Sequence, residues 1–378
     1  MTIARRDVLK GGAALAALST ITGGVGIIGA GGARAQQSSA LFAPKPGAWR
    51  TFEITTALEL PASAGPAQAW VPVPAFNGEG WTKPGQTTWK LDGGKASTAR
   101  DAKSGASMVH VTWAEGAPRR AVEVTSRITA RDRAVDIAKP GGAAPLSDGD
   151  RKLYTAATEL LVLDGIVKET ATKIVAGAGS ELDKARRIYE WVVDNTFRNA
   201  KTRGCGVGDV ASMLKTGDLS GKCADLNALY VGLARAAGLA SRDIYGIRVA
   251  PSQFGYKSLG ANSATITKAQ HCRAEVFVTG IGWIPVDPAD VRKVVLEEPP
   301  GNLKLDDAKV KAARAALFGA WETNWLAYND CHDVVLPGSK GPSVPFLMYP
   351  QAETAAGRLD SLDPDAFKYQ ITAKEVAA

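Results

Sequence analysis

The stretch Gly221-Lys222-Cys223-Ala224-Asp225-Leu226-Asn227-Ala228-Leu229-Tyr230 constrains this 378-residue chain more than any other. From Cys223 onward, apolar residues fall at Leu226, Leu229, Tyr230, Leu233 and Ala237, the spacing of a half-buried helix. Gly238 then supplies a left-handed stop. The helix therefore begins on a cysteine, where free N–H groups and the macrodipole favour negative charge. A thiol so placed ionises below its free value of about 8.5, and the thiolate is the nucleophile. Gly221, two residues earlier, lets the backbone turn tightly into the helix.

A thiolate nucleophile needs a base. Gln270-His271-Cys272-Arg273-Ala274-Glu275-Val276-Phe277-Val278 alternates like a strand, Gly280–Gly282 is a short turn, and Trp283-Ile284-Pro285-Val286-Asp287-Pro288 reads as an adjacent strand. Side chains two apart on a strand share a face, so His271, Arg273 and Glu275 point one way. A hairpin then brings His271 beside Asp287, giving the base an orienting carboxylate.

These residues resemble the transglutaminase-like superfamily: a helix-capping cysteine, then His271 48 positions later, then Asp287 16 beyond that. Ala234-Arg235-Ala236-Ala237-Gly238-Leu239-Ala240-Ser241-Arg242 is similar to that family's "RaxGIPAR" run, and Trp283-Ile284-Pro285-Val286-Asp287-Pro288 to its "GWxPvDP" strand. The resemblance is close over Leu153 to Asp290. It implies an α+β fold, a papain-like core of helices and antiparallel sheet, and a Cys223–His271–Asp287 triad for acyl transfer at an amide. One position departs: relatives often carry tryptophan two residues after the histidine, and here that residue is Arg273.

Met1–Ala35 reads as an export signal. Ala4-Arg5-Arg6-Asp7-Val8-Leu9-Lys10 is close to the twin-arginine pattern, a glycine-rich, weakly apolar run follows, and Ala33-Arg34-Ala35 fits a cleavage site. The expected location is the periplasm, with no stable membrane insertion once the signal is removed. Gly24-Val25-Gly26-Ile27-Ile28-Gly29 matches a dinucleotide fingerprint in spelling alone, because no strand precedes it. Residues 1–35 hold four basic groups and one acid, so the formal +7 of the chain falls to +4 in the processed protein. No lysine–arginine block or interleaved aromatic stripe is present, which argues against nucleic acid and for an ordinary solvated surface. Three histidines and no C-x-x-C or H-x-x-x-H pair offer no ligand set for zinc or haem, so no metal or cofactor is expected.

Residues 36–48 are a Ser/Ala/Pro/Gly-rich tether. Residues 49–133 show short alternating runs separated by Pro/Gly/Asn clusters, which predicts a small N-terminal β-sandwich. Residues 134–150 are a linker, and residues 151–378 the transglutaminase-like domain with a C-terminal extension. Helices are expected over Asp148–Leu161, Gly165–Ile174, Ser180–Phe197 and Asp306–Ala320, and a closing strand at Phe367–Ile371.

Arg203-Gly204-Cys205-Gly206-Val207-Gly208-Asp209 is a glycine loop placed to rim a cleft, and Ser252–Thr267 a polar loop placed to cover it. Arg273, Trp283, Trp325 and Tyr349 are candidates for lining the cleft, although the aromatic runs holding the last two read first as core. The Cys223 N–H would serve as one oxyanion donor. Gln270 is a candidate for the second, though strand parity turns it away from His271. Because disulfides persist in an oxidising compartment and Cys223 must stay free, Cys205 and Cys272 are the expected bridge. The partner is a peptide or protein substrate. Hydrolysis is expected over cross-linking, since Arg273 on the His271 face would suit an anionic group and disfavour a protonated amine. The alternatives are a transglutaminase forming amine-linked amides, and a catalytically silent module binding peptide or envelope polymer.

Overall fold

Alternating apolar residues build the first layer. Along β1 (Arg50–Glu59), Phe52, Ile54 and Leu58 point inward. β2 (Ala67–Pro72) is buried at all but one residue, whereas β3 (Thr82–Asp92) buries only Thr82 and β4 (Lys95–Arg100) buries none, both being edge strands. The alternation returns in β5 (Ser107–Trp113) and β6 (Ala121–Ala130). Lys-Ala-Ser-Thr-Ala-Arg of β4 has no apolar face to mark it in the sequence. The computed structural model describes residues 42–61, 64–139 and 141–377, so the export signal at 1–35 lies outside the described residues.

The helical segment follows as α1 (Asp148–Thr155), α2 (Gly165–Ile174), α3 (Glu181–Asn195), α4 (Val210–Thr216) and α5 (Cys223–Ala236). Ser180 caps α3 through Asp183 N at 3.1 Å. Next come β7 (Ser241–Arg248), β8 (Gln270–Val278), β9 (Gly282–Val286), α6 (Pro288–Glu297), α7 (Ala308–Ala316) and β10 (Trp325–Asn329). The chain ends with β11 (Gln351–Thr354), β12 (Gly357–Arg358) and β13 (Lys368–Val376).

Three main sheets result. One is four-stranded in the order β13-β1-β6-β3, and one five-stranded in the order β12-β11-β2-β5-β4. They close on a shared apolar layer that includes Leu58, Val71, Val111, Val124 and Phe367, so the sandwich draws strands from both ends of the chain. The third sheet, β9-β8-β7-β10, is antiparallel throughout and carries α5 on one side. The fold is α+β. Ser39–Ala378 forms one compact unit. Among the described residues no helix is long and apolar enough to cross a membrane.

α5 is more deeply set than its heptad of large residues implies. All fourteen of its residues are buried, not one face of them. Leu226, Leu229 and Leu233 fill the core, while Ala224, Ala228, Gly232 and Ala236, spaced by four, let other elements approach closely. At Gly232 an added Cβ would meet Val210 at 3.2 Å. The helix ends as expected at Gly238, φ +87°, with Leu239 N bonded to Ala234 O at 2.9 Å.

Candidate active site

The start of α5 is strapped down by Asp225. Its carboxylate accepts from three backbone N–H groups: Lys222 at 3.0 Å, Val207 at 2.9 Å and Gly208 at 3.0 Å. Ala224 N donates to Cys205 O at 2.9 Å, a second tie between helix and loop. The glycines are required here. At Gly206, φ +92°, a Cβ would lie 1.9 Å from an Asp225 oxygen, and at Gly221 a Cβ would lie 2.5 Å from the same side chain. Cys223 therefore sits rigidly at the first position of α5, where its N–H has no partner within the helix.

The strap also carries Cys205 against Cys223. The expected Cys205–Cys272 bridge is not formed: all four cysteines are free, buried thiols. Cys205, Cys223 and Cys272 lie in one buried cluster instead, and the Cys205 thiol donates to Gln270 O at 3.3 Å. Cys205 and then Cys272 hold the Cys223 thiol well below its ordinary range against the opposing effect of burial, and His271 adds to this. The two partner thiols are pushed well up and stay protonated, Cys205 chiefly by Cys223 and Cys272 chiefly by burial.

His271 is placed by the β8–β9 ladder. Ala274 pairs with Val286 and Glu275 with Pro285, and continuing that register sets Asp287 level with Arg273, diagonal to His271 on the same face. His271 Nε2 lies 2.8 Å from Asp287 Oδ2, which leaves Nδ1 for the thiol. Asp287 is also the N-cap of α6, its Oδ1 accepting Asp290 N at 3.0 Å and Asn227 Nδ2 at 3.2 Å. Asn227 spans the site, because the same amide donates to Cys272 O at 2.7 Å. Trp325 Nε1 fixes the strand by donating to His271 O at 2.7 Å.

A second carboxylate, absent from the sequence reading, stands at the imidazole: Asp290 Oδ2 is 3.4 Å from His271 Nε2. Arg248 binds Asp290 at 2.5 Å. Burial and the Arg248 charge act to lower the His271 pKa, but Asp290 and Asp287 outweigh them and it is raised. Burial, reinforced by Asp290, raises Asp287. Burial acts to raise Asp290 too, yet the Arg248 charge holds it well below the usual carboxylate range. Among the described residues, His271, Asp287 and Asp290 are a set whose ligand atoms lie within 4.8 Å of one another, as a metal would need. Arg248 and Arg273 already supply cations to those carboxylates.

A cleft of about 670 Å³ opens over Cys223 and His271. Of the four residues expected to line it, Tyr349 does, and Gln270, the oxyanion candidate, borders it as well. Arg273, Trp283 and Trp325 do not. Arg273 is 2% exposed, with its guanidinium 4.7 Å from the Trp325 ring centre, Nε 3.5 Å from Asp287 and Nη1 bonded to Glu322 O at 3.1 Å. Strand parity placed it correctly on the His271 face, but tryptophans seal that face beyond His271. Trp325 is part of the seal, and Trp283 lies 4.0 Å under the Arg242 guanidinium. Glu275 is bound by Arg242 at 2.6 Å. The 251–269 segment is a pinned wall of the cleft: Ser258 N and Oγ donate to Glu298 at 2.9 and 2.8 Å, and Ile266 N to Ile371 O at 2.8 Å.

The fold and site define an α+β protein with a buried thiol, an imidazole and two carboxylates aligned at the floor of a cleft. The chain belongs to the transglutaminase-like superfamily. That family's core matches residues 168–288. An uncharacterised protein of Haemophilus influenzae is 36% identical over 343 residues, 86% of this chain and 91% of that one. A solved structure of a proposed cysteine protease from Cytophaga hutchinsonii is similar over 87% of this chain and 99% of that one, at 15% identity and a TM-score of 0.48. The periplasmic domain of TgpA from Pseudomonas aeruginosa is similar over 65% of this chain and 88% of that one, at 14% identity and a TM-score of 0.33.

Proposed function

We propose that this chain is a cysteine-dependent acyl transferase that hydrolyses amide or peptide bonds, with Cys223 as nucleophile, His271 as base then acid, and Asp287 orienting the imidazole. The observation that carries the reading is that Cys223, at the first position of α5, and His271, bonded to Asp287 at 2.8 Å, open together on one cleft, with the thiol pKa lowered. The Cys223 sulfur attacks the carbonyl carbon, and the C–N bond breaks as imidazolium gives its proton to the leaving amine. Water then attacks the thioester, His271 takes its proton, and the acid leaves as the thiol is restored. The Cys223 N–H faces the developing oxyanion. Gln270 is the second donor candidate: it borders the cleft, and its buried Nε2 has no hydrogen-bond partner among the described residues.

Water is the acceptor in this reading. Arg273, the residue that suggested hydrolysis in the sequence, is sealed away; Lys222, Lys257 and Lys268 on the cleft wall replace it in disfavouring a protonated amine. The twin-arginine pattern at residues 4–10 supports export to the periplasm, and Arg5→Lys with Arg6→Lys should retain the protein in the cytoplasm on fractionation.

The test is alkylation of Cys223 by iodoacetamide against pH, with turnover of amide substrates in wild type and Cys223→Ser. We expect a midpoint well below that of free cysteine and no turnover in the variant. A midpoint near about 8.5 would leave a silent binding module as the better account.

A further inference from the structure

The cleft over Cys223 is lined by seven basic side chains and one carboxylate, Glu297. Four of the cations are paired. Arg198 and Lys293 share Glu297, Arg203 meets Asp360 at 2.5 Å, and Arg248 meets Asp290 at 2.5 Å. Lys222, Lys257 and Lys268 have no ion-pair partner among the described residues. Lys222 immediately precedes the nucleophile, and Lys257 and Lys268 stand on the pinned 251–269 wall. Like charges gathered in a concave site repel one another, and a ligand of opposite sign relieves that repulsion while its own charge is focused inward. Three flexible ammonium groups suit carboxylates arriving in varied geometry.

We propose that the acyl donor is an acidic peptide or amide carrying at least two carboxylates near the scissile bond, held by Lys222 on one side and by Lys257 and Lys268 on the wall. This rests on the reading of Cys223 as the nucleophile. The substrate's carboxylates complete the ion pairing of the cleft, so binding weakens with salt and the neutral analogue of the same substrate binds poorly.

The experiment measures alkylation at Cys223, mapped by mass spectrometry, with two reagents of equal size: anionic iodoacetate and neutral iodoacetamide. In parallel, Ac-Glu-Gln-Glu-NH2, Ac-Ala-Gln-Ala-NH2 and Ac-Lys-Gln-Lys-NH2 compete against iodoacetamide. We expect the iodoacetate-to-iodoacetamide rate ratio to exceed that of free cysteine by roughly tenfold or more, falling toward it in 1 M salt. The Lys222→Gln/Lys257→Gln/Lys268→Gln variant should lower the ratio at least about threefold, and Lys90→Gln, on β3 of the sandwich, should not. The acidic peptide should protect at the lowest concentration. A ratio equal to that of free cysteine, or equal protection by all three peptides, overturns the anionic donor while leaving the nucleophile intact. If Cys223 is not the site of rapid alkylation by either reagent, the nucleophile assignment fails first.

Discussion

Asp290→Asn tests whether a second carboxylate sets the charge of the imidazole. At 3.4 Å from His271 Nε2, a unit charge contributes about 1 kcal/mol at a dielectric of 80 and about 5 kcal/mol at 20, or roughly 1 to 3.5 pH units. Arg248 lies 2.5 Å from the same carboxylate, and its charge lowers the imidazole in parent and variant alike, so the difference between the two is the loss of the Asp290 charge. The His271 midpoint should therefore fall by at least about one unit. The Asn oxygen still accepts from Arg248, which keeps the fold cost below the roughly 3–5 kcal/mol of an unpaired buried charge.

The assay is NMR titration of ring-labelled histidine in a Cys223→Ser background, where the imidazole titrates without a coupled thiol. The chain holds three histidines. Burial drives His332 down to about 3, with Arg235 helping, and burial lowers His110. His271 is the one raised and should titrate last as pH rises, its signal vanishing in His271→Gln. A midpoint in Asp290→Asn equal to or above that of the parent would refute the reasoning.

Three other perturbations probe the supports of the site. Cys205→Ala removes the neighbour that most lowers the Cys223 thiol, and the iodoacetamide midpoint should rise; an unmoved midpoint would mean that Cys205 does not act on the Cys223 sulfur. Asn227→Ala removes the amide that donates to both the Cys272 carbonyl and Asp287, leaving Asp287 with Asp290 N and His271, and should cost roughly 1–3 kcal/mol in urea unfolding, with a loss under about 0.5 kcal/mol counting against the bridge. Gly206→Ala combines a positive φ with overlap on Asp225, so a loss of at least about 2 kcal/mol and slower alkylation at Cys223 are expected; wild-type stability would show that the loop is not strapped to α5.

What the sequence made legible followed from periodicity and parity. Cys223 at a helix start, and His271 and Asp287 on one face of a hairpin, need no more than spacing and a turn. The supports of that line were hidden for separate reasons. Asp290, three residues after Asp287, looks like an ordinary acid in a first helical turn, and only the packing of α6 turns it to the imidazole. Arg248 closes β7 with no local mark of its partner. Asn227 and Asp225 did leave a trace. Asn227 lies four residues after Cys223, in a helix otherwise apolar on that side, and Asp225 occupies the third helical position, where a carboxylate reaches back to the cap. In the sequence the same helix reads as half-buried because its small residues, which mark the second packed face, carry no hydrophobic signal.

Charge shows most plainly where one-dimensional reading stops. Parity set Arg273 on the face of His271 and so offered it to a substrate, but parity cannot say what covers a face. Trp321 and Trp325 cover this one, and burial lowers the Arg273 pKa to about 10 despite the Asp287 charge beside it. The positive charge that does border the cleft comes from residues 198–203, Lys222, residues 248–268 and Lys293, four stretches none of which is a basic block. Averaged along the chain they look like an ordinary solvated surface; folded around one cysteine they make a site whose sign is opposite to that of a carboxylate-bearing donor. The charge such a site favours in a ligand is a property of the assembled cleft, and the lysine variants test whether the proposed donor carries the opposite sign.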